Sequence, residues 1–329
     1  MPLTPDTIMS QALAFMGSRV LLTAVELDVF TRLAQGPASA DELAAELNAT
    51  PRGIAVLLDA LVPMGFLVKE QGKYHCPPDA AAFLTKDSPR SLLPMMLHGA
   101  RGWHRWANLT DTVRHGRKAA PTTSYDQTSA EQANFIGGMH VIASRLARTI
   151  VAAAGTGSAT RLLDIGGASG SYTQAFLEAS PGLTATLFDL PPVVEIARRR
   201  LAATSVADRV TFAAGDFYRD ELPPGHDLAL LSAIIHQNSP EQNVELYRKA
   251  WRALVPGGRL LIRDHVMNED HTGPAAGTLF AVNMLIGTLG GGTYSYAEIK
   301  ATLEAAGFAR SALIQPDEKM TGLIEAFKP

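Results

Sequence analysis

From Arg161 onward the sequence alternates between short apolar runs and helical stretches, and this alternation constrains the fold more than any other feature. The runs predicted to be strands are residues 161–165, 184–189, 210–214, 227–232, 259–264, 309–314 and 321–327. Stretches with helical spacing lie between them, for example 193–203 and 241–254. Such alternation indicates a mostly parallel sheet covered by helices on both faces. We therefore predict a doubly wound α/β domain over residues 159–329.

The first 100 residues follow a different pattern, with short helices before a hairpin. Ser39-Ala-Asp-Glu42 is a capping box, and Thr50 followed by Pro51 is a second helix start. Two short runs, 66–70 and 73–76, flank a Gln-Gly turn. Helix, turn, helix and hairpin predict a winged-helix domain over residues 1–100, and connecting helices over 101–158 are expected to line a substrate pocket.

Winged helices often read DNA, so a DNA-binding regulator is an alternative function. A recognition helix needs basic or amide side chains that reach bases and phosphates. Between residues 50 and 65 only Arg52 has such a side chain, and the hairpin adds Lys69 and Lys73. We therefore expect no nucleic-acid partner. A structural module that buries its apolar faces against a partner chain is the preferred interpretation.

Composition narrows the remaining classes of protein. Lys plus Arg is 29 and Asp plus Glu is 32, for a net charge of −3, which gives no general attraction to nucleic acid or anionic lipid. The single cysteine, Cys76, excludes an internal disulfide framework, and acids and histidines lack clustered ligand spacing, so no metal is expected. No membrane-spanning run and no secretory signal are predicted, which indicates a cytoplasmic protein. Residues 8–28 are apolar on most sides, which suggests a helix inserted into another subunit.

The loop after the first strand of the α/β domain is predicted to bind a ligand. Residues 162–170 read Leu-Leu-Asp-Ile-Gly-Gly-Ala-Ser-Gly. The dinucleotide pattern G-x-G-x-x-G fails here, because a start at Gly166 meets Ala168 and Ser171, and no phosphate-binding loop follows. Asp164 at the strand end would repel a pyrophosphate and suits a cation. S-adenosylmethionine carries an ammonium and a sulfonium and no phosphate.

Two further acids end the next two strands. Asp189 is placed to accept hydrogen bonds from both ribose hydroxyls, and Asp216 from the adenine amino group, with Phe217 packed on the ring. Three acids at three consecutive strand ends predict a nucleoside cofactor. The residues expected to bind it are Asp164, Gly166, Gly167, Gly170, Asp189, Leu190, Gly215, Asp216, Phe217 and Ser232. The glycines are expected to let the backbone approach the ligand closely.

Taken together, the sequence resembles the S-adenosylmethionine-dependent O-methyltransferases of the plant caffeate and bacterial polyketide-tailoring type. The segments that carry the resemblance are residues 163–167, 188–191, 215–217, 235–236, 256–258 and 306–308. The resemblance implies a Rossmann-like methyltransferase domain behind an N-terminal winged-helix dimerisation domain. It also implies a homodimer whose N-terminal helices partly cover the partner's substrate pocket.

Methyl transfer to a hydroxyl requires removal of its proton, and a histidine suits that task near neutral pH. His236 follows the predicted strand 227–232, and the resemblance makes it the catalytic base, although Gln237 and Asn238 depart from the family's motif. The resemblance makes Asp264 the acid that fixes its tautomer. Thr293 stands at the position of the family's second acid, so the two-acid arrangement is incomplete.

The substrate is expected to be a small phenolic, enolic or quinone-like metabolite in an apolar slot. The predicted substrate contacts are Trp103, His104, Trp106, Phe135, Met139, His140, His265, Met284 and Thr293. Methylation of sulfur or carbon is an alternative within the enzyme class. A family member that decarboxylates or hydroxylates without methyl transfer is a further alternative.

Overall fold

The chain forms two compact units, Met1–Trp103 and His104–Pro329, in a computed structural model that describes residues 3–116 and 129–329. The first unit is helical with one small hairpin. Its elements are α1 (Pro5–Leu13), α2 (Phe15–Glu26), α3 (Val29–Ala34), α4 (Ala40–Glu46), α5 (Pro51–Leu61), β1 (Val68–Glu70), β2 (Lys73–His75), α6 (Pro78–Leu84) and the start of α7 (Leu93–Ala107).

Local signals in the sequence explain the helix–turn–helix and hairpin of this unit. Ser39 caps α4 through a complete capping box, and the Thr50 side chain accepts a hydrogen bond from the Gly53 amide at the start of α5. The α5 face with Ile54, Leu58 and Leu61 is buried in the core. These elements reproduce the predicted winged-helix arrangement.

The helices α1 and α2 leave much of their apolar surface exposed in a single chain, and their insertion into another subunit stays a prediction. No residue of α1 is buried, and the side chains of Ile8, Met9, Phe15 and Met16 are 53%, 55%, 53% and 48% exposed. The stretch Pro5–Glu26 is long and apolar enough to cross a membrane, so the expectation that no run meets that criterion was wrong. Core helices of water-soluble proteins and signal sequences meet the same criterion, so one such helix is weak evidence for a membrane span. The cytoplasmic location stays a prediction.

The second unit contains the predicted α/β domain. Its helices are α8 (Leu109–His115), α9 (Ser129–Ala154), α10 (Ser171–Ala179), α11 (Pro191–Leu201), α12 (Pro240–Ala253), α13 (Ala275–Gly287) and α14 (Tyr296–Ala305), with short 3₁₀ turns at Ala207–Arg209 and Ile235–Gln237. Its strands are β3 (Arg161–Ile165), β4 (Thr184–Asp189), β5 (Val210–Ala214), β6 (His226–Ser232), β7 (Leu254–Asp264), β8 (Val266–Met267), β9 (Tyr294–Ser295), β10 (Ser311–Gln315) and β11 (Gly322–Phe327).

Seven of these strands form one sheet in the order β10-β11-β7-β6-β3-β4-β5. The five strands from β7 to β5 are parallel, and β11 runs antiparallel to β7 and to β10. Separate hydrophobic cores cover the two faces, one built on α9, α10 and α11 and the other on α12 and α14. The predicted seven-stranded, mostly parallel sheet is therefore confirmed.

One strand begins earlier than the sequence pattern predicts. β7 starts at Leu254 instead of residue 259, because the Pro256-Gly257-Gly258 segment bulges within the strand and does not end it. His226 pairs with Leu254 and Leu228 pairs with Arg259, so the extra residues of β7 are accommodated by a register shift.

Candidate active site

The parallel strands bring the predicted acids to one edge of the sheet. β3 carries Asp164, β4 ends at Asp189, and β7 ends at Asp264. His236 lies in the 3₁₀ turn that follows β6. Ligands of doubly wound sheets bind at this carboxyl edge, so the arrangement is that of a binding site.

The glycine-rich loop turns the chain from β3 into α10. Gly166 and Gly170 have positive φ angles of 70° and 74°, which favour glycine. A Cβ added at Gly167 would lie 2.6 Å from the Leu187 side chain, and one at Gly170 would lie 2.6 Å from that of Leu201. The structure thus gives these glycines a packing and conformational role, in addition to the close ligand approach expected from the sequence.

Asp164 and Asp189 are carboxylates without a cationic partner among the described residues. Thr173 donates a hydrogen bond of 2.6 Å to Asp164, and the Leu190 and Ala168 amides donate bonds of 2.7 Å and 2.8 Å to Asp189. Burial raises the pKa of each carboxyl to about 6, and the nearby Asp189 adds to the shift at Asp164. A positively charged ligand would compensate both groups. The site therefore fits S-adenosylmethionine better than a phosphorylated nucleotide.

The third acid follows β5. Asp216 is buried, and one of its oxygens accepts a 2.9 Å bond from the Tyr218 amide. The Phe217 ring lies 4.7 Å from that of Tyr218, and it approaches the position that a side chain at Gly166 would occupy. A Cβ at Gly215 would lie 2.6 Å from the Phe188 ring. Phe217 thus stands beside the glycine-rich loop.

His236 and Asp264 form a directly hydrogen-bonded pair. The His236 Nδ1 lies 2.8 Å and 2.9 Å from the two carboxylate oxygens, and the Asp264 side chain is 1% exposed. Burial alone would raise the pKa of Asp264, but the charge and hydrogen bond of His236 and the amide of His265 lower it. Asp264 therefore stays ionised, and its contact with Nδ1 favours the tautomer with the proton on that nitrogen, which leaves the lone pair on Nε2.

A second histidine–aspartate pair lies next to the first. His265 Nδ1 is 2.6 Å from Asp317, and Asp317 also accepts hydrogen bonds from two backbone amides in the β10–β11 turn. The Phe280 ring of α13 contacts both histidines, with ring centroids 4.8 Å from His236 and 4.9 Å from His265. Sequence reasoning missed Phe280 and Asp317, because no motif links the β10–β11 turn or this face of α13 to His236.

The structure places the predicted substrate-contact residues in several different regions, and besides His265 two of them lie near His236. Thr293 is buried and donates a long 3.5 Å bond to the Gly277 carbonyl, and the neighbouring Gly292 amide binds the His236 carbonyl at 2.9 Å. Met284 is buried on α13. The structure therefore brings the loop of Thr293 and the helix of Met284 to the His236 side of the sheet edge.

The remaining predicted contacts lie elsewhere. His140 of α9 lies 2.8 Å from Ser171 and 3.4 Å from Ser169, which places it at the glycine-rich loop. Phe135 and Met139 are half-buried on the same helix. Trp103 belongs to the first unit and packs on Phe15 and Arg19.

On α7, the His104 carbonyl accepts a bond from Asn108, and Trp106 is 38% exposed. No hydrogen bond or ring contact within the described part of the chain joins His104 or Trp106 to His236.

Comparison with known proteins agrees with this geometry. Residues 106–309 match the O-methyltransferase domain family, and residues 9–86 match the O-methyltransferase dimerisation domain. The chain is 32% identical over 328 residues to the tetracenomycin polyketide synthesis 8-O-methyl transferase of Streptomyces glaucescens, covering 97% of this chain and 96% of that one. It is 33% identical to acetylserotonin O-methyltransferase of Gallus gallus, covering 92% of each.

Solved structures show the same similarity. Human N-acetylserotonin methyltransferase in complex with SAM superposes with a TM-score of 0.85 at 28% identity, covering 100% of this chain and 98% of that one. PigF with SAH superposes with a TM-score of 0.89 at 28% identity, covering 99% and 100%. The strand-end acids, the His236–Asp264 pair and these matches agree, and the chain belongs to the O-methyltransferase family, as an enzyme that transfers a methyl group from S-adenosylmethionine to a hydroxyl.

Proposed function

We propose that His236 is the general base that removes the proton of the substrate hydroxyl. The observation that carries the proposal is the 2.8 Å contact between His236 Nδ1 and the buried Asp264 carboxylate. This contact fixes the proton on Nδ1, so the lone pair of Nε2 is free to accept a proton. The His236 side chain is 12% exposed, which limits competition from water.

The strand-end residues are proposed to hold S-adenosylmethionine in line with this base. When bound, the cofactor supplies a methyl group activated by a sulfonium. Asp164 would accept from the ammonium, Asp189 from the ribose hydroxyls, and Asp216 from the adenine amino group beside Phe217. Each carboxylate oxygen has two acceptor positions, so the backbone bonds at Asp189 leave room for the ribose. The main task of the chain is then to position the two reactants.

The substrate is proposed to be a small aromatic molecule with a hydroxyl group. The Phe280 ring between His236 and His265 offers a flat apolar surface beside the base. The named relatives act in tetracenomycin polyketide synthesis and on acetylserotonin, which are aromatic classes of substrate. We propose that His265, held by Asp317, contacts a second polar group of the substrate.

Mass spectrometry with a panel of phenols, enols and thiols tests the reaction. A product heavier by one methyl group is expected from a hydroxyl acceptor, and His236→Ala is expected to lower turnover by about 10²–10⁴-fold while SAH still binds. The matched control is His271→Ala, because His271 is 45% exposed and pairs with Glu298 on the surface. Undiminished turnover in His236→Ala would remove His236 as the base and favour an acceptor that is already ionised, such as a thiolate.

We propose that the protein works as a homodimer joined through its N-terminal helices. The exposed apolar side chains of α1 and α2 lie in or next to the matched dimerisation domain, residues 9–86. Large contiguous apolar surface is unusual on a monomer and marks an interaction site. A second copy of the chain is the occupant that the matched domain favours.

A further inference from the structure

Arg263 is a buried cation with little compensation. The residue is 2% exposed and is among the largest fully buried side chains. Its Nη1 makes a long 3.4 Å bond to the Ser232 hydroxyl, whereas its Nε and Nη2 have no hydrogen-bond partner among the described residues. The neighbouring Asp264 is engaged with His236 and with the His265 amide. Because a guanidinium stays protonated in proteins, such an unpaired buried charge is costly and calls for an anionic partner.

The position of Arg263 places it on the cofactor side of the sheet. Leu162, Leu230 and Leu261 pack in the core beneath α9, α10 and α11. Side chains alternate along a strand, so the residues two positions further, Asp164, Ser232 and Arg263, continue the same face toward the carboxyl edge.

Tyr172, at the start of α10, packs beside Arg263. The Arg263 guanidinium carbon is 5.7 Å from the Tyr172 ring centroid. Burial raises the pKa of the Tyr172 hydroxyl, the charge of Arg263 lowers it and the charge of Asp164 raises it. Arg263 and Asp164 nevertheless form no ion pair, and Asp164 is bound by Thr173 instead. One buried acid and one buried cation thus lie on the same face of the sheet, and they form no ion pair with each other.

An α-amino acid carries an ammonium and a carboxylate on one carbon, so it offers a partner of opposite charge to each of these two groups. The two unpartnered nitrogens of Arg263, Nε and Nη2, form one edge of the guanidinium, which is an edge that binds a carboxylate through two parallel hydrogen bonds. We propose that Arg263 binds the carboxylate of the methionine portion of S-adenosylmethionine, opposite Asp164 at its ammonium. The proposal rests on the cofactor assignment and adds a specific residue to it.

Calorimetry with SAH and with its analogue that lacks the carboxylate tests the proposal on the intact protein. In the wild-type chain we expect SAH to bind much more tightly than the analogue. Arg263→Met is expected to lower the affinity for SAH by about 100-fold, because one partner of a buried charge pair is removed. The affinity of the analogue is expected to stay within about 3-fold, since it never made the contact.

A structural role for Arg263 is tested by the melting temperature of the ligand-free protein. Replacing an unpaired buried charge with an apolar side chain of similar size is expected to leave the melting temperature of Arg263→Met equal or higher. Arg199→Met serves as the matched variant, because it makes the same substitution at an exposed arginine of α11 and is expected to leave both affinities and the melting temperature unchanged.

Equal losses for SAH and its analogue, or no loss for either, would overturn the proposal, as would a lower melting temperature of ligand-free Arg263→Met. These measurements record cofactor binding and need no methyl acceptor. The test of Arg263 is therefore independent of whether a hydroxyl substrate is found.

Discussion

A single carboxylate, Asp264, decides which nitrogen of His236 is basic. Asp264→Asn keeps the shape of the side chain but removes the charge that fixes the Nδ1 proton. We expect turnover to fall about 10–100-fold with cofactor affinity retained, as for other side chains that orient a catalytic or ligating histidine. Asp317→Asn is the matched comparison, since Asp317 orients His265 in the same way. Wild-type turnover in Asp264→Asn would contradict this role.

The acids proposed to bind the cofactor are expected to make its binding depend on pH. Burial raises the pKa of Asp164 and of Asp189 to about 6, above the ordinary value of 3.8. A cation binds the ionised form, so the dissociation constant of S-adenosylmethionine is expected to rise as pH falls through 6. The ligand-free fold should change in the opposite direction, because protonation of a carboxyl with a raised pKa stabilises the folded state between about pH 6 and pH 4.

Calorimetry at pH 7.5 and pH 5 checks the dependence, with melting curves of the ligand-free protein alongside. In Asp164→Asn and in Asp189→Asn, the dissociation constant is expected to change less between these two pH values than in the wild-type protein. A dissociation constant that is unchanged between these two pH values in the wild-type protein would contradict the assignment of both acids.

At the scale of one element, the loop from β3 to α10 depends on the absence of side chains. A Cβ at Gly167 would lie 2.6 Å from Leu187 and 3.1 Å from the Asp164 carboxyl group. We expect Gly167→Ala to lower the free energy of unfolding by about 1–3 kcal/mol, the usual cost of overpacking, and to weaken SAH binding. Gly182→Ala is the control, because its Cβ would meet nothing within 4 Å. Denaturant unfolding and calorimetry measure the two effects, and equal behaviour of the two variants would contradict the packing argument.

The elements also show how far the sequence can be interpreted. The strands and their acids were predictable, since apolar runs locate strands and parallel strands place their ends together, as at Asp164, Asp189 and Asp264. His265–Asp317 was not, because the pair depends on where the β10–β11 turn lies against the end of β7. Arg263 was passed over for a similar reason: in the sequence it is one charge within an apolar strand, and only the structure shows that it is buried and that its Nε and Nη2 have no hydrogen-bond partner among the described residues.

For the whole molecule, the exposed apolar helices predict self-association. Met16→Glu places a charge on a residue that is 48% exposed in one chain and that a second copy would bury. We expect light scattering coupled to size exclusion to show a dimer for the wild-type protein and a shift toward monomer for the variant. Leu313→Glu, at a residue 38% exposed in the second unit, is the control and should stay dimeric. A monomeric wild-type protein would refute the proposed assembly.

The β10–β11 turn brings Asp317 to His265, which follows Asp264 at the carboxyl edge of the sheet. Asp317 lies beyond residue 309, where the match to the methyltransferase domain ends, yet its carboxylate holds His265 beside Phe280. When the C-terminal hairpins of two relatives are exchanged, each chimera is therefore expected to prefer the methyl acceptor of the protein that supplied its hairpin. The hairpin is therefore a short target for directed evolution toward new acceptors. It is distant in sequence from the glycine-rich loop, so it can be mutated without changing that loop.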